Sequence, residues 1–60
     1  MDKKKRYLNI MGLKVSALGN EIVEDVNQKD LKDVTNFLNE KIEQKYDPDV
    51  IWIISPCYLD

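Results

Sequence analysis

The sequence predicts a small α+β domain of order strand, strand, helix, strand, with a three-stranded sheet ordered 2-1-3 and one amphipathic helix on one of its faces. Two observations carry this reading. Between Lys29 and Tyr46 apolar residues recur at helical spacing, and on either side of that segment they recur as they do in strands. A right-handed crossover from the second strand to the third then leaves the first strand in the middle.

Met1 to Lys5 reads as a basic flexible arm with little to bury, and residues 6–60 as the single ββαβ domain. From Arg6 the pattern is that of a strand, Leu8 and Ile10 alternating with Tyr7 and Asn9. The apolar phase then slips to Leu13, Val15 and Ala17, which calls for one extra residue near Met11-Gly12. A β-bulge there is preferred to a tight turn, because glycine tolerates bulge geometry and Met-Gly is poor turn chemistry. Leu18-Gly19-Asn20-Glu21 reads as a hairpin with Gly19 and Asn20 at its centre. That register sets Ala17 opposite Ile22, Val15 opposite Glu24 and Leu13 opposite Val26 on the buried side. Lys14 then faces Asp25 as a cross-strand charge pair, and Glu24 is the misfit.

The helix is expected over Lys29 to Tyr46. Leu31, Val34, Leu38 and Ile42 form its apolar arc, edged by Phe37 and Tyr46, while Lys32, Asp33, Asn36, Asn39, Glu40 and Glu43 face water. Asn27 or Asp30 can cap its start, since either side-chain oxygen accepts from unpaired amides of the first turn. Asp47-Pro48-Asp49 ends it, because proline disfavours helical geometry at the preceding residue. The third strand, Val50-Ile51-Trp52-Ile53-Ile54, is apolar at every position, as strands covered on both faces are. Ser55-Pro56 closes it, and Cys57 to Asp60 form a short tail with two apolar anchors, Tyr58 among them.

Composition narrows the function. Sixty residues make one domain near the lower limit of a self-sufficient core. The net charge of −2 is too balanced for a histone-like binder and too weak for a mimic of nucleic acid. With one cysteine and no histidine, neither an internal disulfide nor a conventional zinc site is expected, and a reducing, cytoplasmic setting fits best. No apolar stretch has the length of a signal peptide core or a membrane span, so no membrane association is expected. The available carboxylates lie on the outer helix face and in turns, Asp47 and Asp49 included, where solvated acids are the expected reading. Cys57 has no basic neighbour in sequence to activate it and reads as a packing residue. The chain is expected to be no enzyme and to carry no cofactor.

Two binding surfaces can be read. Lys3, Lys4, Lys5 and Arg6 followed by Tyr7 could grip phosphate and stack a base, although only the arm is basic and a solubilising terminus is preferred. The stronger signal is the third strand. The helix can cover only one of its faces, so part of Val50, Ile51, Trp52, Ile53 and Ile54, with Tyr58, is expected at a protein interface. The exposed set is either Trp52 with Val50 and Ile54, or Ile51 with Ile53. A protein partner, a homodimer, or both would cover it. In size and strand–strand–helix–strand plan the chain is similar to small phage proteins that inhibit host enzymes, such as inhibitors of host RNA polymerase. That resemblance transfers no residues. It implies an inhibitor acting by occlusion of a host enzyme or defence complex, in the host cytoplasm. A self-associating regulatory or structural protein is the other class weighed.

Overall fold

The computed structural model describes residues 4–59. Strand β1 spans Lys5–Ser16, β2 Gly19–Gln28, helix α1 Leu31–Gln44 and β3 Val50–Leu59. The three-stranded sheet has the order β2-β1-β3. Because β1 is antiparallel to both neighbours, β2 and β3 run parallel to each other, and α1 connects them. The architecture is the expected ββαβ fold, with several corrections inside it.

The register shifts between Gly12 and Leu13, beside the expected position, but the extra residue belongs to β2 and not to β1. Pairing of β1 with β3 is unbroken from Lys5 opposite Leu59 to Lys14 opposite Val50. On the other side, pairing passes from Gly12 opposite Glu24 to Leu13 opposite Ile22, leaving Val23 as the extra residue. Leu8, Ile10, Gly12 and Lys14 therefore face the helix, while Tyr7, Met11, Leu13 and Val15 face the other way. The apparent phase slip is a strand that is apolar on both faces. Gly12 serves close approach. A Cβ there would lie 2.9 Å from Trp52 Cζ3 and 3.3 Å from Glu24 Cβ.

The hairpin also differs from expectation. Ala17 and Leu18 form its tip, and Ser16 pairs with Gly19, whose φ of +126° disfavours any residue with a Cβ. The Ser16 hydroxyl donates to the Gly19 carbonyl at 2.8 Å. Leu13 consequently faces Ile22 instead of Val26, Val15 faces Asn20 instead of Glu24, and Lys14 faces Glu21 instead of Asp25. The ion pair of Lys14 is made with Asp47, at 3.0 Å. Glu24, the misfit of the expected register, points under the helix and meets Lys41 at 3.0 Å.

Helix α1 is shorter than expected by two residues at each end. Asp30 caps it, its Oδ1 accepting from the Asp33 N–H at 2.9 Å. The core is small, with Ile10 at 0% and Val34 at 1% exposure. Phe37 stands edge-on to Trp52, the ring centroids 6.1 Å apart at 82°, and Lys41 Nζ lies 5.5 Å from the Phe37 centroid. These contacts turn the buried arc toward Phe37 and Lys41, so Leu31 and Ile42, expected within the arc, and Tyr46, expected at its edge, are exposed.

Strand β3 runs through Pro56 to Leu59 and does not close at Ser55-Pro56. Val15 N–H donates to Asp49 O at 2.9 Å, so odd-numbered residues of β3 bond β1 and even-numbered ones direct their N–H and C=O to the free edge. Pro56 is even-numbered, and its missing N–H costs the ladder nothing.

Candidate protein interface

Alternation along β3 decides which expected interface residues are displayed. Val50 and Trp52 point toward the helix and are half-buried, so Trp52 is not an outward residue. Ile54 and Tyr58 share that side but remain exposed. A helix of 14 residues is about 21 Å long, and strands of 10 to 12 residues reach about 33–40 Å. One helix cannot cover the side it lies on.

Ile51 and Ile53 point to the opposite face, which no element of the described residues covers. They expose 53% and 44%, and Ile22 of β2, across Leu13 from Ile51, exposes 56%. Met11 and Leu13 of the central strand complete the patch and are half-buried between their neighbours. The expected register sets Leu13 and Ile22 on the buried side; both lie on the open face, because the pairing shifts by one residue at Val23. The signal for Met11 and Leu13 was present in the odd-numbered apolar positions of β1, which read instead as a bulge. Polar groups border the patch, where Asn9 Nδ2 donates to Asp25 Oδ1 at 2.7 Å and to Asn27 Oδ1 at 2.9 Å. An apolar centre with a polar rim is the composition of an interaction surface.

The two sheet edges differ. Strand β2 carries the Val23 bulge together with Glu21, Glu24 and Asp25, features that discourage pairing with another strand. Strand β3 has no charged residue from Val50 to Leu59. Along its free edge Trp52, Ile54 and Tyr58 present both N–H and C=O, whereas the Val50 N–H is already bound to Asp47 O at 3.1 Å.

The basic arm is not a separate unit throughout. Lys3 lies outside the described residues and Lys4 is exposed, but Lys5, Arg6 and Tyr7 belong to β1, opposite Leu59, Tyr58 and Cys57. Alternation sends Lys5 and Tyr7 to one face and Arg6 to the other.

A cleft of about 360 Å³ lies between the C-terminal half of α1 and the sheet, with Val23, Ile42, Tyr46 and Trp52 in its lining. The Lys14–Asp47 and Lys41–Glu24 ion pairs stand on its walls. The Asp49 backbone N–H and the Lys14 ammonium hold the Asp47 carboxyl below its ordinary value, and Asp47 in turn raises Lys14. These charges satisfy each other. Among the described residues no group of metal-ligating side chains is gathered, and no helix is long and apolar enough to cross a membrane. Comparison with family models, curated proteins and solved structures gives no match.

Proposed function

We propose that this chain is a non-catalytic protein that acts by binding another protein through the open face of its sheet. One observation carries the reading: Ile22, Ile51 and Ile53 are exposed together on a face rimmed by Asn9, Asp25 and Asn27. The surface suits a partner with an apolar centre and a basic or amide group opposite Asp25. An inhibitor encoded by a phage or mobile element, occluding a host enzyme or defence complex, is the specific form of this reading and draws on the similarity in size and topology. The nucleic-acid reading has less support, since alternation parts Lys5 from Arg6.

The test is an affinity capture from lysate of the source cell, and of its host if the gene is phage-borne, with wild type and Ile51→Lys run side by side. A stoichiometric protein retained by the first and lost by the second supports the reading. No retained protein, or one retained equally by both, removes it.

A further inference from the structure

We infer that the free edge of β3 pairs antiparallel with the same edge of a second copy, about a two-fold axis between the two Ile53 residues, to form a continuous six-stranded sheet. Four observations, three of the edge and one of the whole chain's surface, point to a second copy as its occupant. Val50 to Leu59 carry no charge, so like edges meet without like charges, as two acidic β2 edges would not. Helix α1 packs mainly on β1 and β2 and leaves the outer flank of β3 open. The chain exposes 4959 Å² where a compact 7.0 kDa monomer exposes about 4000 Å², an excess on the order of 900 Å². One partner's share of a standard interface is about 800 Å².

The fourth feature sets the register. With Ile53 on the axis, Trp52 N–H donates to Ile54 O of the other copy and Ile54 N–H to Trp52 O, and symmetry repeats both bonds. The next pair brings Pro56, which has no N–H, opposite Val50, whose N–H is held by Asp47 O. Pairing therefore stops at the same point on both strands, with no donor left over between Val50 and Pro56; the Tyr58 N–H lies beyond the paired segment. Ile53 meets Ile53 as a non-hydrogen-bonded pair, in which side chains approach most closely. The two open faces then lie on one side of the sheet, and their apolar patches join across the seam.

The test uses the full chain with Cys57→Ser, so that no native thiol competes. In that background Ile53→Cys is oxidised under mild conditions and compared with Ile51→Cys. The Cα separation of a non-hydrogen-bonded pair, about 4.5 Å, falls within the 4.4–6.8 Å that a disulfide spans. We expect nearly complete covalent dimer for Ile53→Cys, lost when denaturant precedes oxidation. Ile51→Cys should remain uncrosslinked, because each Ile51 faces Ser55 of the other copy. Sedimentation of the wild type should give twice the monomer mass, and far-ultraviolet circular dichroism should confirm that both variants fold. A wild type that sediments as monomer at every concentration overturns the dimer. A dimer whose Ile53→Cys crosslinks no better than Ile51→Cys overturns the edge pairing. Sheets stacked face to face, for example, lie about 10 Å apart, beyond disulfide reach.

Discussion

On the face under α1, Ile10 is fully buried and Val34 exposes 1%, whereas on the opposite face Ile51 exposes 53% and Ile22 56%. The side chains are alike in kind, and what separates them is that, among the described residues, one helix covers a sheet nearly twice its length. The covered face holds the fold together through a small aliphatic core, the Phe37–Trp52 pair and the Lys41–Glu24 ion pair. The open face contributes little to folding while it is wet, and its apolar area becomes favourable only when something lies on it. Equal hydrophobicity on two faces of a strand thus divides into a folding role and a binding role.

The difference can be broken most severely from the covered side. Val34→Asp places an unpaired charge where no water reaches, at about 3 kcal/mol or more. Domains of this size have about 3–9 kcal/mol in total. We expect loss of the helical circular dichroism signal at room temperature; a cooperative melt near wild type would show that Val34 is not in the core.

Gly12→Val comes next. The added Cβ collides with Trp52 and Glu24, and overpacking of this kind costs about 1–3 kcal/mol. The melting temperature should fall, and Trp52 emission should shift to the red as its ring is pushed from Phe37. If emission and melting both stay at wild-type values, the ring does not lie over Gly12.

Ile51→Lys sharpens the comparison from the other side. Stability should change by no more than about 0.5 kcal/mol, as for most surface substitutions, while retention of a bound protein is lost. A melt that collapses as far as Val34→Asp would mean the two faces have been interchanged.

The smallest effect belongs to Asp47→Asn. Because the folded protein holds the Asp47 carboxyl below its ordinary value of 3.8, its contribution is present above that value and is lost as pH falls through the lowered one. Lys14 is raised above 10.5, so its share is present below that value and disappears as pH rises through the raised one. Between those limits wild type should melt slightly higher than Asp47→Asn, and in acid the two curves should converge. Curves that run parallel down to acid would show that the pair does not couple to folding.

Element types and their order were legible from local patterns, because helical and strand periodicities are properties of a few neighbouring residues. The Asp30 cap was legible for the same reason: its side chain reaches only the next turn. The bulge was legible in place but not in strand: Leu13 and Val15 resemble a slipped phase of β1 when only one of its faces is taken as apolar, whereas the extra residue is Val23 of β2. The position of Val23 depends on which residues of β2 meet β1, and no spacing within either strand contains that information.

The sequence by itself determined a ββαβ chain with more apolar strand surface than one helix could cover. It also determined that the surplus lay in Val50 to Ile54, an uncharged run on an otherwise charged chain. Only the tertiary structure decided that Trp52 turns inward, where Gly12 leaves room for its ring, and that Ile51 and Ile53 turn outward with Ile22, Met11 and Leu13. The reason is physical. Strand alternation fixes which residues share a face, but which face the helix takes depends on packing between residues some forty positions apart, such as Gly12 and Trp52.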